Sequence, residues 1–144
     1  MRLGFIGLLA SAALMTTPAL ADPRGYDQGP IWSIQDIQTK DGHFDDYMKF
    51  VTTKWKAQEE ALKRAGYIID YKVFVNIDQR DNEPDISLVS IFKNMAAMDI
   101  SLDQQDALAK QMSGSVQNAD KEQADRSTIR TIRGGALLRE LVLQ

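Results

Sequence analysis

The chain reads as an α+β domain of the ferredoxin-like, split βαβ kind: a four-stranded antiparallel sheet with helices on one face. Three observations predict this. A long amphipathic stretch, Asp41–Gly66, has a marked start and a marked stop. β-branched and aromatic runs lie on either side of it. The apolar segments then follow one another as strand, helix, strand, strand, helix, strand.

Residues 1–21, MRLGFIGLLASAALMTTPALA, set Arg2 before an apolar run from Leu3 to Met15 and end on Ala19-Leu20-Ala21, the small-x-small pattern that signal peptidase accepts. That run is about 13 residues, short of the ~18 a bilayer span requires. An exported, periplasmic or secreted chain cleaved after Ala21 is therefore expected, with no membrane association afterwards. Asp22–Pro30, DPRGYDQGP, is dense in turn formers and is expected to be a flexible leader to a domain over residues 31–144.

Ile31–Gln38 alternates as a strand, with Trp32 and Ile34 on one face and Ile31 and Ile37 on the other. Thr39–Gly42 turns into the long helix. There Phe44, Met48, Val51, Trp55, Leu62 and Ala65 recur at helical spacing, while Asp45, Asp46, Lys49, Lys56, Glu59, Glu60 and Lys63 occupy the other face. Gln58 interrupts the stripe. Asp41 is the expected N-cap, and Gly66 supplies the left-handed stop.

Tyr67–Ile77 is the strongest strand by β-branched and aromatic content. A polar connection, Asp78–Pro84, leads to a second strand over Asp85–Lys93, with Ile86, Leu88 and Phe92 on one face and Val89 and Ile91 on the other. Apolar residues on both faces call for cover on both sides. Asn94 caps a short turn over Met95–Met98. Ser101-x-x-Gln104 is a capping box opening a helix to about Met112, with Gly114 just past its end. A further helical piece is expected over Ala119–Arg126. Ala136–Leu143, after the Gly134-Gly135 pair, reads as a closing strand, with a short helix as the alternative.

Composition narrows the function. Loss of 21 of the 144 residues leaves 123, one domain's worth, and loss of Arg2 takes the formal charge from −3 to −4. An acidic chain without a basic cluster argues against nucleic acid and anionic membranes as partners. The absence of cysteine removes disulfide, thiolate-metal and thiol-nucleophile chemistry. An exported chain without disulfides fits the bacterial periplasm. No glycine-rich phosphate loop, H-E-x-x-H or G-x-S-x-G motif occurs, and no cofactor is expected.

The segments DGHFDDYMKFVTTKW, AGYIIDYKVFVN, EPDISLVSIFKNMAAMD and RGGALLREL resemble small exported bacterial proteins of the dimeric α+β-barrel superfamily. That superfamily takes in antibiotic-biosynthesis-monooxygenase-like and stress-responsive barrel proteins. The resemblance runs from Ile31 to Leu143 and is one of layout. It implies two ferredoxin-like protomers paired sheet to sheet as a homodimer. It also implies one of several fates (cofactor-free oxygenation, haem degradation, haem peroxidation or no known activity), and it carries no catalytic residue onto a numbered position.

Candidate chemistry is correspondingly sparse. His43 is the only histidine and is read as a solvated residue at the helix start, with haem binding or general-base work as the alternative. Asp78, Asp81, Asn82, Glu83 and Asp85 crowd one connection but lack the alternation and central glycine of an EF-hand loop. Tyr47, Trp55, Tyr67 and Tyr71 are candidates to line a helix–sheet pocket for a flat ligand, with Trp55 equally at home in the core. Arg139 and Asp36 stand mid-strand as a pocket pair or as edge charges. Arg126, Arg130 and Arg133 form a modest basic run, an anion site or a solvated face. The expectation is a small apolar or aromatic ligand bound between helix and sheet. A cofactor-free monooxygenase and a non-catalytic dimerisation module are the alternatives.

Overall fold

A computed structural model describes residues 24–144. The expected signal peptide, 1–21, lies outside the described residues. The elements are β1 (Tyr26–Thr39), α1 (Phe44–Phe50), a π turn (Val51–Trp55), α2 (Lys56–Arg64), β2 (Asp70–Val75), β3 (Ile86–Phe92), a 3-10 turn (Met95–Met98), α3 (Leu102–Ser113), α4 (Val116–Arg126) and β4 (Arg130–Leu143). This is an α+β fold with one four-stranded sheet in the order β2-β3-β1-β4, antiparallel throughout. The connection from β3 to β4 carries two helices, so the six-element order expected from the sequence gives way to β-α-β-β-α-α-β.

The long helix forms, but its register differs from the expected stripe. Tyr47, Val51, Trp55, Glu59 and Leu62 are buried, while Phe44, Gln58 and Ala65 are exposed. A row at four-residue spacing drifts by ~40° per step in an ideal helix of 3.6 residues per turn. The π turn takes back part of that drift: Lys56 N–H donates to the Val51 carbonyl five residues earlier. Two adjacent threonines sit at this widened turn. Thr52 Oγ1 donates to the Met48 carbonyl at 2.8 Å and Thr53 Oγ1 to the Lys49 carbonyl at 2.6 Å. The start is corrected too. Asp41 and Gly42 form the preceding turn and His43 is the N-cap, without a side-chain capping bond. At the other end Tyr67 N–H reaches the Leu62 carbonyl and Gly66 N–H the Lys63 carbonyl, a Schellman ending with Gly66 at φ +81°.

Two buried clusters join helix and sheet. Tyr47, Val51 and Trp55 pack on Ile37, Ile86 and Leu88; Leu62 and Ile68 pack on Ile31 and Phe92, with Ile100 and Leu108 beside them. Val89 and Ile91 face away from the helix yet are buried. They lie on an inner strand, with Ile34 and Lys72 opposite Val89 and Trp32 and Asp70 opposite Ile91.

β1 starts at Tyr26, so most of the stretch expected to be a flexible leader is strand, and β4 starts at Arg130, six residues before the expected Ala136. The cause is pairing: Tyr26–Gln28 run against Leu141–Leu143, and Ile37–Thr39 against Arg130–Ile132. The two glycines do not punctuate the strand but sit within it. A Cβ on Gly135 would stand 2.0 Å from the Ile34 carbonyl oxygen, so only glycine lets the strands approach there. Gly134, at φ +117°, adjoins a register shift. α3 opens on the expected Ser101–Gln104 capping box, and α4, capped by Ser115, begins at Val116, three residues before the expected start.

Candidate functional site

The aromatic candidates pack at the junction of helix and sheet. Tyr47 and Trp55 are core residues, and the Trp55 ring meets Tyr71 edge-on at 5.6 Å between centroids. Tyr71 is half-buried and donates to Glu60 Oε1 at 2.6 Å, which pushes its phenol pKa up. Tyr67 is half-buried at the end of the long helix. Arg139 is remote from all of these: it is exposed near the far end of β4, with its Nη1 donating to the Gly29 carbonyl at 3.4 Å. Asp36 does not pair with it, accepting instead from Ser87 Oγ at 2.6 Å. Three of the four ligand-site candidates thus meet in the helix–sheet core, and Arg139 stands apart.

The open cleft lies elsewhere. Between the outer side of the long helix and the α3–α4 hairpin is a cleft of about 460 Å³, within the usual range for small-molecule pockets. Phe50 and Leu62 wall it on one side, and Leu108, Met112 and Val116 on the other. α3 and α4 can fold back on each other because Gly114, at φ +80°, ends the first helix and Ser115 immediately caps the second through the Asn118 N–H. Lys54 bridges across the cleft to Glu122, which also accepts from Ser113 Oγ at 3.1 Å. These contacts hold the Glu122 carboxyl below its usual range.

Arg126 lines the cleft, with its Cζ 4.1 Å from the centre of the Phe50 ring. Arg130, 8 % exposed, lies beside Tyr47 at 5.9 Å from Cζ to ring centre. The Nε–H of each arginine is buried without an acceptor. Arg133, the third member of the sequence run, is separate and donates from Nε to Gln38 Oε1 at 2.6 Å.

Glu59 was not legible as a buried residue, since the helical stripe assigns it to the polar face. This side chain is 2 % exposed, and its Oε2 accepts from Ser90 Oγ at 2.7 Å. Burial raises its pKa, so it favours the protonated form. The signal that locates it is indirect: the Thr52-Thr53 pair in mid-helix marks where the π turn moves the register. His43 sits at an open depression with Thr39, Lys40 and Thr131, its Nδ1 2.9 Å from Asp46 Oδ2. The acidic connection between β2 and β3 is closed by its own bonds, among them Arg80 N–H to Glu83 Oε2 at 3.1 Å, while Asp85 accepts from Thr39. Among the described residues no group of three or more His, Asp or Glu side chains converges to hold a metal ion, and no helix is long and apolar enough to cross a membrane. Compared with known proteins, the chain matches no family model and no curated protein.

Proposed function

We propose that this chain acts after export as a homodimer of the α+β-barrel kind that binds a small, largely apolar molecule. The cleft between the long helix and the α3–α4 hairpin carries the binding half of the reading: its size suits a small ligand, and Phe50, Leu62, Leu108, Met112 and Val116 give it apolar wall beside its polar groups. Among its polar groups, Lys54 and Ser113 are both engaged by Glu122, which favours a binding role over acid–base chemistry for these three.

The dimer half rests on the sheet. β4 is an edge strand of 14 residues, and Leu137, Leu138, Leu141 and Val142 are each about half exposed. A long apolar edge left open is an aggregation hazard that a second copy would cover. This observation equally supports a second reading, a module whose task is association alone.

Native mass spectrometry of the full chain isolated from expressing cells tests both halves. A dimer carrying additional small-molecule mass is the expected result. A dimer that neither carries nor takes up apolar small molecules would leave only the association module. A monomer at micromolar concentration would remove the dimer.

A further inference from the structure

We propose that the ligand of this cleft carries a carboxylate, received by the guanidinium of Arg126 in the cleft wall. This rests on the binding reading above and adds the chemistry of the ligand's head. The described residues leave both guanidiniums without an ion-pair partner. Glu122, the carboxylate that acts electrostatically on Arg126, is committed to Lys54 and Ser113. Arg130 is more than nine-tenths buried and its Nε–H lacks an acceptor, a cost for a buried charge unless something supplies one. The C-terminal dipole of α4 accounts for a cation at Arg126 but provides no acceptor for its Nε–H.

Burial lowers the proton affinity of Arg126, and the like charge of Arg130 lowers it further. A planar, forked donor matches a carboxylate in two-point contact. A single negative charge is the better fit than a phosphate dianion, because Asp106 and Asp120 line the same cleft and repel a second one. The Phe50 ring fixes the plane of the Arg126 fork, and the aliphatic walls beyond it take the body of the ligand. The class is therefore a small amphipathic carboxylic acid.

Isothermal titration of the full chain with decanoate, 1-decanol and decylphosphonate separates the possibilities. Decanoate should bind roughly tenfold or more tightly than decanol, the worth of one charge-assisted contact. Arg126→Met should reduce decanoate to the level of decanol and leave decanol unchanged. Arg126→Lys keeps the charge without the fork and should retain an intermediate preference, which also guards against a Met variant that fails to fold. Equal binding of decanoate and decanol, unmoved by either substitution, would overturn the carboxylate while leaving the apolar cleft as a site. Tighter binding of the phosphonate would overturn the choice of head group. Binding of none of the three would remove the cleft reading itself, and this inference with it.

Discussion

Ile86, Leu88 and Phe92 on β3 and Leu137, Leu138 and Leu141 on β4 are comparable residues in comparable strands. The first three are 9 % exposed or less and the second three 50 % or more. β3 lies between two strands and beneath the long helix, whereas β4 has one neighbour and a free edge. At their far ends β1 and β4 continue as a two-stranded ribbon, Tyr26–Gln28 against Leu141–Leu143, past the register that β3 reaches. The difference shows that apolar patterning specifies a buried face without specifying whose chain will bury it.

Substitutions in the two regions should separate accordingly. Trp55→Ala should be the most damaging, costing about 3–5 kcal/mol in chemical denaturation, because its ring fills the space between helix and sheet. A loss below about 1 kcal/mol would mean the closed half is not the centre of stability. Gly135→Ala comes next, at about 2 kcal/mol, although it lies in the exposed half; its cost is the approach of two backbones rather than lost core. Wild-type stability in that variant would show that the β1–β4 ribbon adjusts freely.

Glu59→Gln sharpens the comparison through pH. The folded state holds the Glu59 proton more tightly than the unfolded chain does. Its stabilising contribution is therefore complete below the ordinary carboxylate pKa and is lost as pH rises through the elevated folded value. Thermal melts should show wild type losing stability relative to the variant as pH rises from 4 towards 8. Parallel melting curves across that range would mean that Glu59 is hydrated in the folded state. The smallest effect on the protomer belongs to Leu138→Lys with Leu141→Lys, within about 0.5 kcal/mol for exposed positions. The same pair should abolish self-association in sedimentation. If it instead costs as much as Trp55→Ala, the exposed half is part of the protomer's own core.

Local sequence accounts for much of this architecture. The Ser101–Gln104 capping box, the Gly66 and Gly114 stops and the two-faced pattern of β3 each act within a few residues, through backbone groups that only nearby side chains can satisfy. Element ends that depend on a distant partner were not legible. Tyr26–Pro30 has the composition of a loop and becomes strand because β4 lies beside it, and Arg130–Arg133 is polar yet pairs with the end of β1. The helix's true inward face needed the sheet as well. Glu59 is buried because a π turn, stabilised by packing against Ile37 and Leu88, rotates the second half of the helix by a fraction of a turn.

The site divides along the same line. That Arg126, Arg130 and Arg133 form a basic run is a property of the sequence. That Arg126 lines the cleft, Arg130 is buried beside Tyr47 and Arg133 bonds to Gln38 is a consequence of where α4 ends and β4 begins. By itself the sequence determined the α+β class, the long helix and most of the strands, since periodicity and capping are local. The tertiary structure decided which face of that helix is buried, where the cleft lies and which charges remain unpaired, since burial and pairing arise only when distant segments meet.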